Sequence, residues 1–408
     1  MNLKSLKRLL GAVVLGLSLS AASPVLAQRD SLRPEVGKPL QDAQKLIQSK
    51  QFKQALKPID QAEAVGKLTD YEAFVIAQMR GAAYSGAGDA VKAATAFEQV
   101  LDANRLPKEE ALKIMEGVAG SFYRARNYAQ AVNWLNRYRQ AGGGRVEVLE
   151  LIPQAHYLAG DYAAAARVAA EQVQATEAAG QRPDEDSLRL LASAYAQAAD
   201  MRGYAQALER LVRHYPKAEY WTDVIQRTAA QPGFSRKLDL DTYRLRLAAG
   251  TMASATDYME AAQLAMQEGL PGEALDFLQR GTAAKVLGVG AAADVERQQR
   301  LRKLVESKRA EDRATIASTA ADAKAAGGDA LFRTGLAYVT YGDTAKGLSM
   351  MEHSAKQGPL QAPGHARLRL GYAYFLAGDQ ARAVQAFRKV RGDDGAAALA
   401  RLWILAVR

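Results

Sequence analysis

The chain has no cysteine among its 408 residues, which excludes a disulfide framework and a lipid-attachment cysteine. Its four histidines (His156, His214, His353 and His365) lie far apart, and none falls at a metal-ligand spacing. No H-E-x-x-H, G-x-S-x-G or phosphate-loop motif occurs. The glycine run Gly142 to Gly144 follows a helical stretch with no strand before it, so it reads as a helix stop and loop. These absences predict a non-enzymatic chain with no catalytic residue, cofactor or metal site. Proline is rare within the periodic segments, and alternating strand-like runs are hard to find. The fold class expected is all-α.

Long apolar runs are also missing beyond the N-terminus. Residues 1–27 have the layout of a cleavable export signal. Lys4, Lys7 and Arg8 form the charged region, Leu9 to Ala22 the apolar stretch, and Val25-Leu26-Ala27 the small-residue cleavage site. The apolar stretch, about 14 residues, falls short of the roughly 20 that span a bilayer. Cleavage after Ala27 and a periplasmic location are expected, with no transmembrane segment afterwards. Removing the three lysines and arginines takes the formal charge from +10 to +7. Export makes a nucleic-acid partner unexpected despite that charge.

What the sequence has is a repeat. In Pro363 to Arg391, Leu370-Gly371, Tyr374, Gly378-Asp379, Ala383 and Phe387 mark two helices that approach closely, a tight turn, and bulky groups filling the groove. This spacing resembles the tetratricopeptide repeat (TPR), a helix-turn-helix of about 34 residues. It recurs as Gly81, Tyr84, Gly88-Asp89, Ala93 and Phe97, and 36 residues before Gly371 as Gly335, Tyr338, Gly342-Asp343, Gly347 and Met351. Further units centre on Ala119, Phe122 and Ala131, on His156 and Ala165, and on Ala192, Tyr195 and Ala207. Pro153 should delay or kink its helix. The unit centred on Ala192 has three extra residues, read as a bulged loop at Asp200–Arg202.

The resulting expectation is a right-handed helical solenoid. Residues 28–36 form a flexible leader, 37–221 an N-terminal TPR solenoid, 222–325 an irregular or degenerate region, and 326–408 a TPR pair with a capping helix. The pattern lapses over 222–257. Val295 to Ala325 reads as helix, with an interruption near Ser307 or Asp312; its arginines and lysines alternate with acids, as on a solvated face. The apolar tail Gly395 to Arg408, containing Leu399, Leu402, Trp403, Ile404 and Leu405, reads as a closing cap, with a docking helix as the alternative.

The order of segments is similar to a family of exported proteobacterial TPR proteins associated with the TonB–ExbB–ExbD energy-transduction system. That similarity rests on HYPKAEYW (214–221), GLPGEALDFLQRG (269–281) and the last two units. It implies a protein or peptide partner in the cell envelope, possible TonB-system components included. The other reading is an envelope-assembly factor engaging polysaccharide or cell wall. It needs clustered exposed aromatic faces, and aromatics make up only 7% of the chain.

For the adaptor reading, the inward positions of each first helix supply the candidate partner-binding residues. They are Lys113, Glu116, Tyr123 and Arg124, then Tyr157 with Glu147 and Glu150, then Arg189. Toward the C-terminus they are Phe332, His365, Tyr372 and Phe375, together with Leu368.

Overall fold

A computed structural model describes residues 30–354, 356 and 360–407. The signal and its cleavage point lie outside the described residues. The described part is helical throughout, and the chain divides into two compact units, 1–201 and 202–408.

Unit 1 is a run of antiparallel pairs. They are α1 (Pro34–Gln48) with α2 (Phe52–Ala64), α3 (Asp70–Ala87) with α4 (Ala90–Asp102), and α5 (Lys108–Arg124) with α6 (Tyr128–Gln140). A broken helix follows as α7 (Val146–Leu149) and α8 (Leu151–Leu158), which pairs with α9 (Tyr162–Ala178); α10 (Glu185–Gln197) packs on α9. The motif explains the turns. Gly88 takes φ 83°, and Asp89 accepts a hydrogen bond from the Lys92 amide at 3.1 Å, ending one helix and capping the next. Asn127 and Asp161 cap α6 and α9 in the same way. A Cβ on Gly81 would lie 2.7 Å from the Phe97 ring, so glycine there sets how closely α3 and α4 approach. Phe97, Phe122, Trp134, Leu135 and Ile152 fill a core continuous across the pairs.

The leader is more ordered than its composition suggests. Helix α1 starts at Pro34, a favoured first position, and Arg33 is tied down just before it. The Arg33 Nε and Nη2 each lie 2.9 Å from an oxygen of the fully buried Glu72, which also completes a capping box with Thr69. The Arg33 hydrogen bonds outweigh burial and hold the Glu72 carboxyl down to about 2. This pair therefore stabilises the fold fully above the ordinary carboxylate range, and the contribution is lost only as pH falls toward 2.

Unit 2 contains α11 (Met201–His214), α12 (Ala218–Ala229), a 3-10 turn at Arg236–Leu238 and α13 (Asp239–Ala248). It continues with α14 (Ala255–Gln267), α15 (Pro271–Ala283), α16 (Ala292–Ala326), α17 (Gly328–Thr340) and α18 (Thr344–Ser354), then α19 (Pro363–Leu376), α20 (Gln380–Arg388) and α21 (Ala396–Ala406). Two local expectations are corrected here. Of the residues read as a bulged loop at Asp200–Arg202, only Asp200 lies outside a helix: α11 already begins at Met201. Nearly a full turn is added at the helix start, which leaves Ala207 and Leu211 buried as the motif requires. Nor is α16 interrupted at Ser307 or Asp312. Its 35 residues contain no glycine or proline to stop it. The four pairs Asp294–Arg297, Glu296–Arg300, Arg302–Glu306 and Lys308–Glu311 lie along its exposed surface, so the solvated-face reading holds.

The lapse at 222–257 is a packed part of the unit. Helix α21 lies against α12, α13, α19 and α20, so the C-terminal helices close onto the segment that begins the unit. Leu399, Leu402 and Trp403 are buried, and the Trp403 ring stacks on Phe387 with centroids 5.5 Å apart. The tail is a cap. Below it lies a buried ion network. Arg244 Nη2 and Nη1 reach Glu273 and Asp241 at 2.6 Å, Arg369 reaches Asp241 and Glu268 at 3.1 Å, and Tyr372 donates to Glu273 at 2.9 Å. Burial alone would raise the Asp241 carboxyl, but Arg369 and Arg244 reverse this and hold it below its usual range.

The Tyr372–Glu273–Arg244 arrangement recurs near the surface of this unit. Tyr204 donates to Asp223 at 2.5 Å under Arg227, and Tyr243 donates to Glu260 beside Arg246. Tyr341 donates to Asp312 at 2.5 Å beside Arg313, and Tyr374 to Glu352 at 2.6 Å beside Arg382. In each case a tyrosine hydroxyl spans two helices while an arginine covers its ring. Burial, then the carboxylate, raises every one of these phenols, Tyr374 to about 12. A raised phenol stabilises the fold fully below its unfolded value near 10 and loses that contribution as pH rises through the folded value. In an alkaline titration followed at 295 nm and by circular dichroism, these tyrosines should ionise together with loss of helix. A Tyr374→Phe variant should unfold at lower denaturant by about 1–2 kcal/mol at neutral pH. Ionisation of all tyrosines near pH 10 with helix intact would contradict the assignment.

Candidate protein-interaction surface

The first helices of the later pairs of unit 1 carry the candidates predicted there. Lys113 and Arg124 are exposed on α5, and Arg124 Nη2 donates to Ser121 Oγ at 3.0 Å. Glu116 is mostly covered and accepts from Arg145 Nη1 at 2.7 and 2.9 Å. Tyr123 is half-buried against Tyr128 in an edge contact, with centroids 5.4 Å apart, and burial raises its phenol. Tyr157 meets Tyr162 in the same way at 5.1 Å, and its hydroxyl is hydrogen-bonded to Ser193 Oγ at 2.8 Å. Arg189 is exposed and 4.0 Å from Asp186. A face built of half-buried rings bordered by charges of both signs can hold a peptide by packing and hydrogen bonding together.

Three residues of this face escaped the sequence reading. Arg145 follows the glycine run, where a loop was the natural assignment. It braces Glu116 and stands 3.9 Å from Glu147. Ser193 is a small polar residue with no motif role. Asp184 caps α10, and with Glu147 it surrounds Glu150; partial burial, then these two carboxylates, raises the Glu150 carboxyl. A cleft of about 550 Å³ between α2, α3 and α4 was also not anticipated. Its walls include Phe74, Gln99, Arg80 and Arg105, and Arg80 is committed to Asp60 and Glu63 at 2.8 Å. Among the described residues no three His, Asp or Glu side chains converge as a metal set.

The C-terminal candidates are corrected. Phe332, His365 and Tyr372 are 7%, 8% and 6% exposed, too little to meet a partner, and Leu368 is buried with them. His365 Nε2 lies 2.7 Å from Asp394 Oδ2, and Phe375 is half-buried against Trp403 with centroids 5.2 Å apart. For His365, Leu368 and Tyr372 the physical reason is α21, which packs on the face of α19 that an open solenoid would present; Phe332 is buried on α17, which packs against α16, α18 and α19.

Pro153 shapes the surface locally. It has no N–H to give the Leu149 carbonyl one turn back, the helix breaks at Glu150, and Gln172 Nε2 donates to that carbonyl at 2.9 Å instead.

Residues 186–218 and 365–394 match the tetratricopeptide repeat family model. The chain carries tetratricopeptide repeats. The matched segments are α10 with α11, and α19 with α20. No curated protein matches the chain. Among solved structures it is similar to a tetratricopeptide repeat protein from Parabacteroides merdae, at 10% identity, covering 81% of this chain and 98% of that one with TM-score 0.28. It is also similar to yeast Tom70, at 11% identity, 91% and 95% coverage and TM-score 0.23. A third is the TPR2AB-domain:pHSP90 complex of yeast Sti1, at 13% identity, 74% and 100% coverage and TM-score 0.24. Scores this low support no transfer of function.

The Pro153–Gln172 arrangement predicts a coupled pair. Gln172→Ala should cost about 1–2 kcal/mol by leaving the Leu149 carbonyl unpaired. In a Pro153→Ala background, where the restored amide can reach that carbonyl, the same substitution should cost less than half as much. Equal costs in urea unfolding would contradict this.

Proposed function

We propose that the protein is a non-enzymatic scaffold of the periplasm that captures a protein segment along the first-helix face of unit 1. The observation that carries the reading is the contrast between the two sets of candidates. Lys113, Arg124 and Arg189 reach solvent and Tyr123 and Tyr157 are half-buried, whereas Phe332, His365 and Tyr372 of unit 2 are buried and Phe375 packs against Trp403. Tyrosine and arginine are the side chains that most often anchor interfaces, because they offer large rigid area with a polar end. Tetratricopeptide repeats are binding modules of this general kind. The export signal supports the periplasmic assignment, and the similarity in segment order supports an association with the TonB–ExbB–ExbD motor.

The test is capture in the native envelope. Full-length tagged protein, crosslinked and purified, should bring down subunits of the TonB motor. Tyr157→Ala and Arg189→Glu should each reduce their recovery about tenfold, with unfolding stability near that of the parent for the exposed Arg189. Recovery of polysaccharide-export or cell-wall components without the motor would overturn the TonB assignment. Undiminished recovery by both variants would overturn the surface.

A further inference from the structure

Charge is unevenly shared. Residues 28–201 carry 21 Lys and Arg against 22 Asp and Glu, whereas residues 202–408 carry 30 against 22. The long helix α16 does not account for the excess, because four of its cations have carboxylates within one turn. Part of the excess lies where the C-terminal helices close onto the start of unit 2. There the Ser235 amide donates to the Asp394 carbonyl at 2.9 Å, and Arg369 Nη2 donates to the Lys237 carbonyl at 3.0 Å. These bonds bring Arg236 and Lys237 close to Arg367, Arg388, Lys389 and Arg391, all six exposed.

None of Arg367, Arg388, Lys389 and Arg391 has a carboxylate within 4.0 Å among the described residues, as the ion pairs show. Arg236 has one distant partner, Asp239 at 3.8 Å. The nearby acids are Asp393, which is exposed, and Asp394, which His365 holds. Part of the clustering serves α20. Arg391 Nη1 donates to the Arg388 and Val390 carbonyls at 2.7 and 2.8 Å, and Arg367 Nη1 reaches the Lys389 carbonyl at 3.5 Å, so they cap the helix end. A helix C-terminus carries only about half a negative charge, which four cations exceed several-fold. The same bonds use one edge of each guanidinium and leave the other free, in the planar geometry that grips a carboxylate with two hydrogen bonds.

We propose that this basic face is a second docking surface, which binds a run of Asp and Glu in a partner protein. Carboxylates in an extended acidic segment match its chemistry, spread over three short stretches of chain. A membrane surface fits less well: the large apolar side chains exposed among the described residues lie elsewhere, so the face offers no anchor to insert beside the cations. The proposal is independent of the first-helix face of unit 1.

The test uses a fluorescein-labelled twelve-residue glutamate peptide, read by anisotropy with the full chain. The parent should bind it with an affinity that falls steeply as salt rises. A variant with Arg388→Glu, Lys389→Glu and Arg391→Glu should bind about tenfold more weakly or worse. A control with Arg297→Glu, Arg300→Glu and Lys308→Glu on α16 should stay within about twofold of the parent, because each of these cations already has a carboxylate beside it. Replacing Arg388, Lys389 and Arg391 by glutamine provides a milder variant should charge reversal impair folding, and it should weaken binding in the same direction. Equal losses in the patch and α16 variants would overturn the proposal. So would patch-dependent retention on vesicles of phosphatidylglycerol and phosphatidylcholine in the absence of peptide binding, which would assign the face to lipid.

Discussion

Two arginines and two carboxylates cannot be taken out of water unless each finds its counter-charge, and this constraint governs unit 2. Arg244, Asp241 and Glu273 are 1%, 1% and 4% exposed, and Arg369 joins them from a helix more than a hundred residues away. Removing one partner of such a set typically costs about 3–5 kcal/mol, because the remaining charge stays buried and unpaired. A well-packed apolar replacement of the whole set can be neutral, so the network contributes less to raw stability than to the choice of partner. Only α19 brings Arg369 and Tyr372 together onto α13 and α15. The ions therefore select where the C-terminal helices dock, and Trp403, once docked, seals the contact with aromatic packing.

The same chemistry in milder form holds the neighbouring helices. A tyrosine hydroxyl donating to a carboxylate across a helix boundary, with an arginine over the ring, appears at Tyr204, Tyr243, Tyr341 and Tyr374. Each of these is partly wet, so each is worth only about 1–2 kcal/mol, yet each fixes the rotation of one helix against the next. Unit 1 is held differently. Its pairs share an apolar core of alanines, Phe97, Phe122, Trp134 and Ile152, and the Tyr157 hydroxyl is hydrogen-bonded to Ser193. The tyrosines that staple unit 2 are thereby spent on structure.

The repeat was legible because its signals are local. Gly81 against Phe97, the Gly88-Asp89 turn and their counterparts at Gly371, Phe387 and Gly378-Asp379 act within one hairpin, and each was placed correctly from spacing. The cap was legible too, since an exposed helix as apolar as Leu399 to Leu405 is untenable. What could not be read were relations with no period. Arg369 and Asp241 are 128 residues apart, and nothing near either announces the other. Missing that closure is what placed His365 and Tyr372 on an open groove. The supposed break in α16 came from expecting a hairpin period where no residue could stop the helix. The unit 1 surface was half legible: the ring positions followed from the motif, whereas Arg145, Ser193 and Asp184 carry no repeat signal.

The most direct measurement is native-state hydrogen exchange on an Arg369→Ala variant. If the buried ions dock the C-terminal helices, amides of α12, α13, α19 and α21 should lose protection together, by about a hundredfold, while α3 to α6 exchange as in the parent. Loss of protection confined to the turn of α19 around the substitution would contradict the account, and would mean that aromatic packing around Trp403 closes the unit without the ions.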